Sequence, residues 1–323
     1  MGVSLYRTVK MGDMQALYFL EETERHMSLT LLPEGMEPVP WENKKQAADS
    51  LVQAYVGKTM RSGGTVWGMR FCQQKCETDA AGNIVVETML QSPHGHFCHY
   101  LKYLAHTGAA ESWTEFFNTG KKAVTLEMLS SFSISGITPL AAGAAPGQLR
   151  IHRLRSDWSM EGRLVTERLE RLNLEPSWAG HGVRSERFGQ AGSMPVNKWF
   201  PWLLVEDVKN HLFWGAQLGH NASWQMEVYR KDDGAAISGG LADYEFGHWA
   251  KTVRPDESFR TPAATLTVCK CDTIDEACGF RISPPNRSFR YYSMNIVRHG
   301  DVLPMKILQI FFPQFKTRGF PIL

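Results

Sequence analysis

Apolar residues recur along this chain at every second position in short runs, and seldom at the three-to-four spacing of helices. The clearest run is Trp224–Tyr229, in which Trp224, Met226 and Val228 fall on one face of an extended strand. Comparable runs, rich in β-branched and aromatic residues, occupy 15–20, 65–71, 84–90, 123–134, 149–154, 211–216 and 263–269. Turn chemistry punctuates them at Ala81–Asn83, Asp232–Gly234, Ser238–Gly240 and Pro255 with Asp256. Only 44–55 and 161–172 carry apolar spacing that suits a helix. Many short strands with frequent turns predict an all-β fold: a large antiparallel sandwich with few short helices, not alternating βα units. There is no internal repeat and no low-complexity segment, and Gly136–Gly147 reads as a loop. The single shift in composition lies near residue 281, after which the chain turns Arg- and Pro-rich.

Composition narrows the picture by exclusion. The 323 residues are 43% hydrophobic and 21% charged, enough apolar material for one large domain or two small ones. A formal net charge of +2 generates no field that argues for nucleic acid or an anionic membrane. Arg150, Arg153 and Arg155 are interleaved with apolar residues and read as a solvated strand face. The opening residues lack the apolar core of a signal peptide, and no apolar run is long enough to span a bilayer. A cytoplasmic location is expected, with the six cysteines reduced.

Candidate chemistry is sparse. His94, His96 and Cys98 would share one side of a strand, as ligands of one ion must, but no second ligand group accompanies them. Cys269 and Cys271 with Cys278 lack the paired spacing of a zinc site, and no CxxC is present. The expectation is therefore no metal and no cofactor. Phosphate-cradling loops and the nucleophile elbow are also missing. The ten tryptophans carry more information. Trp178, Trp199, Trp202, Trp214, Trp224 and Trp249 crowd one region, and tryptophan offers the largest flat surface for the C–H face of a sugar. Most of them are expected in the core. Trp199 and Trp202 flank a proline beside the Gly192–Asn197 loop and are the pair expected to be exposed.

Several long stretches resemble the N-terminal domain of bacterial α-galactosidases of glycoside hydrolase family 36. They are Thr125–Leu140, Leu149–Val165, Asn173–Asn197, Trp214–Lys231, Gly239–Ala263 and Asp275–Gly279, and the resemblance runs from near residue 10 to about 281. It implies an antiparallel β-supersandwich, galactose-mutarotase-like, over 1–281. In the family that domain precedes a (β/α)8 barrel whose two aspartates carry a retaining hydrolysis. The resemblance places no catalytic residue in this chain, which is expected to be inactive alone. It implies support of the barrel, contacts within a homo-oligomer, and galactoside sugars as partners through the barrel. Around His181–Trp202, His181 and Arg184 would hydrogen-bond sugar hydroxyls while Trp199 or Trp202 stacks on the ring. A free-standing carbohydrate-binding module and a mutarotase-like enzyme stay open as alternatives. Residues 282–323 do not continue the family pattern. Read in a frame shifted by one base, with permissible synonymous codons, the tail from Ser288 yields a sequence resembling the start of the family barrel. Residues 282–323 are therefore expected to be an irregular, out-of-frame remnant, ending the chain before the barrel.

Overall fold

A computed structural model describes residues 2–39, 49–57, 59–61, 63–137, 139–141, 143–157, 162–175, 183–192, 197–231, 233–278, 295–297 and 302–304. Its order is set by hairpins. Strands β1 (Val3–Met11), β2 (Met14–Glu21) and β3 (Met27–Pro33) form a three-stranded antiparallel sheet. After a one-turn helix α1 (Gly64–Trp67) come β4 (Arg70–Thr78), β5 (Ile84–Ser92), β6 (Gly95–Leu104) and β7 (Ala109–Phe117). Then follow β8 (Val124–Leu126), β9 (Ser130–Ile137), β10 (Leu149–Arg155), β11 (Arg163–Arg168), β12 (Val183–Gln190), β13 (Trp199–Asp207), β14 (Leu212–Leu218), β15 (Trp224–Lys231) and β16 (Gly234–Leu241). Helix α2 (Tyr244–Gly247), strands β17 (Lys251–Val253), β18 (Ser258–Arg260) and β19 (Ala264–Lys270), and helix α3 (Ile274–Cys278) complete the main body. A separate hairpin pairs β20 (Asn295–Val297) with β21 (Val302–Pro304).

The largest sheet has ten strands in the order β11-β10-β13-β14-β19-β7-β6-β5-β4, with β18 paired to β7. A four-stranded sheet runs β12-β15-β16-β9. Every pairing is antiparallel, as the expected all-β class requires. One hydrophobic cluster joins the inner faces of these sheets and the first three strands, from Met11, Tyr18 and Leu29 through Phe97 and Phe132 to Trp214, Trp224 and Val268. Two tryptophans sit fully inside it. The indole of Trp214 donates to the Leu31 carbonyl at 2.8 Å, so its one polar atom is satisfied across two sheets.

Several elements depart from the sequence pattern, each for a tertiary reason. The run at 65–71 splits into α1 and the start of β4. Residues 163–168 of the expected helix form edge strand β11, paired with β10 from Arg150–Arg168 to Arg155–Arg163, and only Leu169–Leu172 makes a 3-10 turn. Charged residues along β11 suit a sheet edge better than a helix face. Of the other expected helix, residues 49–55 are irregular and 44–48 lie outside the described residues. Ser238–Gly240 is the middle of buried strand β16, not a turn. A Cβ on Gly239 would stand 2.8 Å from the Phe132 ring, and one on Gly240 2.8 Å from the Ser131 nitrogen. These glycines therefore permit close sheet packing. Strand β9 likewise extends to Ile137, into the segment expected to be loop.

One buried group stands out as poorly served. Arg230, at the end of β15, is 1% exposed; one terminal nitrogen donates to the Ala144 carbonyl, while Nε and Nη1 find no partner among the described residues. A desolvated guanidinium with unmet donors costs stability, and a well-packed apolar replacement commonly recovers it. Arg230→Met is expected to raise the denaturation midpoint, corresponding to about 1 kcal/mol or more. A lower midpoint in urea would show that the guanidinium contributes net stability.

Candidate functional site

Strands β15, β16 and β9 of the four-stranded sheet are largely buried on both sides, and the two sides differ in chemistry. Strand alternation sends Phe188, Trp224, Met226, Val228, Ile237, Phe132 and Ile134 into the hydrophobic core. The opposite face carries a polar row fixed by register: Arg187 lies opposite Glu227, Glu227 opposite Ser238, and Ser238 opposite Ser133. Residues from the 49–61 segment cover this row. Backbone and side-chain bonds pin it there: Ser130 N to the Gln53 carbonyl at 2.9 Å, Gln53 N to Ser130 Oγ at 2.9 Å, and Met60 N to Glu227 Oε2 at 2.9 Å.

Arg61 is the centre of this layer, 3% exposed. Its Nε donates to Asp49 Oδ2 at 3.0 Å and its Nη1 to Glu227 Oε1 at 2.9 Å. Nη1 also reaches Ser238 Oγ at 2.8 Å, and Nη2 donates to Ser133 Oγ at 3.0 Å and to the Ile237 carbonyl at 3.3 Å. The guanidinium lies 5.0 Å from the Tyr229 ring centroid, within cation–π range. Asp49 also accepts from Ser50 N at 2.9 Å, Gln53 Nε2 at 3.0 Å and Ser135 Oγ at 2.5 Å. Burial alone would raise the Asp49 pKa; the charge of Arg61 and the Ser135 and Ser50 bonds outweigh it and hold the carboxyl below its ordinary value. Beside this group, Arg187 pairs with Asp243 at 2.8 Å and donates to the Gly57 carbonyl at 2.9 Å.

This arrangement is built to hold charge, not to react. A nucleophile or general base needs a carboxylate with a free lone pair facing substrate, and a general acid a carboxyl proton it can release there. Here both oxygens of Asp49 and both of Glu227 are engaged by protein donors. The polar positions of β15 were legible as the complement of the apolar alternation. Their partner Arg61 lies 166 residues away in the chain, and no spacing rule reaches that far.

The residues expected to contact sugar divide. His181 lies outside the described residues, as does Trp178. Arg184 is the second residue of β12 and is exposed. Trp202, expected at the surface, is 6% exposed: on β13 it points into a second apolar cluster with Leu154, Leu204, Phe213 and Ala277, under α3. Trp199 is half-buried in an aromatic–arginine stack. The Arg155 guanidinium lies 3.9 Å from its ring centroid and that of Arg153 4.7 Å, while Phe188 meets it edge-on at 6.0 Å. Arg153 is also corrected: it is 4% exposed, pairing with Glu167 and with Glu186, the latter at 3.3 Å. Cross-strand carboxylates and two aromatic faces offset its desolvation, so β10 does not present it to solvent. Sequence reasoning passed over one surface aromatic pair. Tyr100 and Trp113 stack at 5.0 Å and 10°, with Arg260 4.2 Å over the Trp113 ring. Their positions opposite one another on β6 and β7 are the only signal that could have found them.

The histidine run does not converge. His94 sits in the turn before β6, His96 and Cys98 point to one side of that strand, and His99 faces the core. Among the described residues no group of three or more His, Cys, Asp or Glu is arranged to hold a metal ion, and no helix is long and apolar enough to cross a membrane.

No protein-family model matches the sequence, and no curated protein matches it. Solved structures do. The chain superposes on an α-galactosidase from Lactobacillus brevis with a TM-score of 0.62 and 10% identity, covering 84% of this chain and 40% of that one. The galactosidase domain of an α-galactosidase–sucrose kinase gives a TM-score of 0.58 at 11% identity, over 81% and 40%. A family 36 α-galactosidase from Geobacillus stearothermophilus gives 0.57 at 12% identity, over 82% and 40%. The likeness is one of fold, and it is to the N-terminal part of these enzymes. This chain spans about two-fifths of the length of the structures it matches.

Proposed function

We propose that residues 1–281 are the N-terminal, non-catalytic β-sandwich of an α-galactosidase-type glycosidase. The observation that carries this reading is the agreement in fold over 84% of the chain with 40% of an α-galactosidase. The chemistry of the described residues supports a structural role. The buried carboxylates of Asp49 and Glu227 are engaged by Arg61, Gln53, Ser135 and backbone donors, so this pair does not supply an acid and a nucleophile to flank a glycosidic bond. In this reading the sandwich packs against a catalytic barrel and contributes to oligomer contacts, while galactoside hydrolysis belongs to the barrel. The purified chain is expected to release no p-nitrophenol from p-nitrophenyl α-galactoside. Turnover that co-purifies with the chain and survives mutation of contaminants would overturn the proposal.

Residues 282–323 are read within the same proposal as out-of-frame coding sequence from the start of that barrel. Sequencing the gene across the codons for residues 275–295 tests it: a single-base change should restore a frame that continues into the barrel. An unbroken frame matched by the intact protein mass would refute it. The sugar-contact part keeps His181, Arg184 and Trp199 and loses Trp202, which is buried. Titrating galactose or raffinose to millimolar concentration should leave tryptophan fluorescence unchanged if contact requires the barrel. A saturable response lost in Trp199→Ala would favour a free-standing carbohydrate-binding module instead.

A further inference from the structure

The second apolar cluster lies on the outer face of the ten-stranded sheet, and three of the six cysteines gather at its margin. Cys269, Cys271 and Cys278 all pack against Leu154, Trp202, Leu204, Phe213 and Ala277. Within this group one pair is in contact: the sulfurs of Cys269 and Cys271 are 3.6 Å apart. A strand sends residues i and i+2 to one side, so the Cys269-Lys270-Cys271 spacing faces both thiols the same way. Strand β19 ends at Lys270, so Cys271 has left the regular ladder and is held by its N–H to the His211 carbonyl at 3.0 Å.

We propose that Cys269 and Cys271 are a dithiol that low-molecular-weight disulfides such as oxidised glutathione convert reversibly to an intramolecular disulfide. The Cys271 thiolate attacks one glutathione sulfur, forming a mixed disulfide and releasing one glutathione thiolate. The Cys269 thiolate then attacks Cys271 Sγ, the protein S–S bond forms, and the second glutathione leaves. Two cysteine thiols are oxidised and one glutathione disulfide is reduced; the two cysteine protons end on the two glutathione thiols. The order of attack follows from the geometry. Burial raises both thiols, and Cys269 is the more enclosed, which leaves Cys271 the more accessible to an incoming disulfide. The sulfurs must close from 3.6 Å to about 2.05 Å, a movement that the irregular backbone at Cys271 permits. A bridge over one intervening residue closes too small a loop to gain much chain entropy, so it belongs with the labile disulfides.

The protease trypsin makes the test direct, because cleavage after Lys270 separates the two cysteines into Thr261–Lys270 and Cys271–Arg281. The folded chain is incubated with oxidised glutathione, alkylated, digested and weighed. The two peptides should appear joined, lighter by two hydrogens than their sum, and should separate on adding dithiothreitol. The joined pair should persist in Cys278→Ser and vanish in Cys271→Ser. Absence of a joined pair in the wild-type chain overturns the proposal. So does a pair that persists in Cys271→Ser and is lost in Cys278→Ser, which would place the bridge on Cys278.

Discussion

Arg61→Met should cost the domain on the order of 3–5 kcal/mol, the penalty for removing one partner from a buried ionic group. The substitution roughly preserves volume but takes away the cation that bridges Asp49 and Glu227, which Arg61 holds at 3.0 and 2.9 Å. It also strips donors from Ser133, Ser238 and the Ile237 carbonyl, all buried. Two carboxylates would then face each other without a counter-charge, and one must take up a proton or draw in water. Against a total stability of about 5–15 kcal/mol this is a large fraction. Urea denaturation at neutral pH reads it as a lower midpoint, and hydrogen exchange should show residues 49–61 opening first. The double replacement Arg61→Met with Glu227→Gln should recover part of the loss, because it removes a charge and keeps an acceptor for Met60 N. A loss below about 1 kcal/mol for Arg61→Met would mean that the polar layer is hydrated and its ion pairs contribute little.

The same layer marks where sequence reading stops. Alternation along β15 located the apolar face of Trp224, Met226 and Val228, because a period of two is a local property. By the same logic Gln225 and Glu227 belong on the other face, and a solvated surface is the ordinary reading of such residues. Instead that face is covered by residues of 49–57 and 59–61, which have no regular secondary structure and whose placement depends on contacts remote in sequence. Gly239 and Gly240 mislead for a related reason. Glycine serves both turns and close sheet contact, and only the facing Phe132 and Ser131 decide between them. Trp199 and Trp202, three residues apart, end in different surroundings: one beneath two guanidiniums, the other in the apolar patch under α3. The family resemblance read from long strings is supported at the level of fold, at 10–12% identity, while no family model matches the sequence.

Below pH 6.5 the domain should lose stability in two separate stages, and His99 should dominate the first. His99 faces the core of β6 with no exposed surface. Its Nε2 lies 3.0 Å from Ser112 Oγ, whose own proton is committed to the Ser131 carbonyl at 2.9 Å. Nε2 must therefore carry the hydrogen, and Nδ1, which has no partner among the described residues, stays bare. Protonation would create a buried cation with an unmet donor, and burial lowers the His99 pKa from 6.5 to about 4. The unfolded chain takes up a proton near pH 6.5 that the folded chain refuses until about pH 4. Stability is thus full above 6.5 and falls as pH drops through that window, by about 3 kcal/mol for a displacement of this size. Burial lowers His26 and His220 as well, so they add to the same stage. Asp49 acts later: its depressed carboxyl stabilises the fold above the ordinary carboxylate value, and that contribution is lost only as pH falls through its lower folded value. Urea midpoints measured at intervals from pH 7.5 to 3 should show both stages in the wild-type chain. His99→Leu should flatten the first and leave the second in place. Parallel curves for the two proteins between pH 6.5 and 4 would mean that the imidazole gains a proton acceptor or water when charged, and that the core around β6 is less dry than its packing implies.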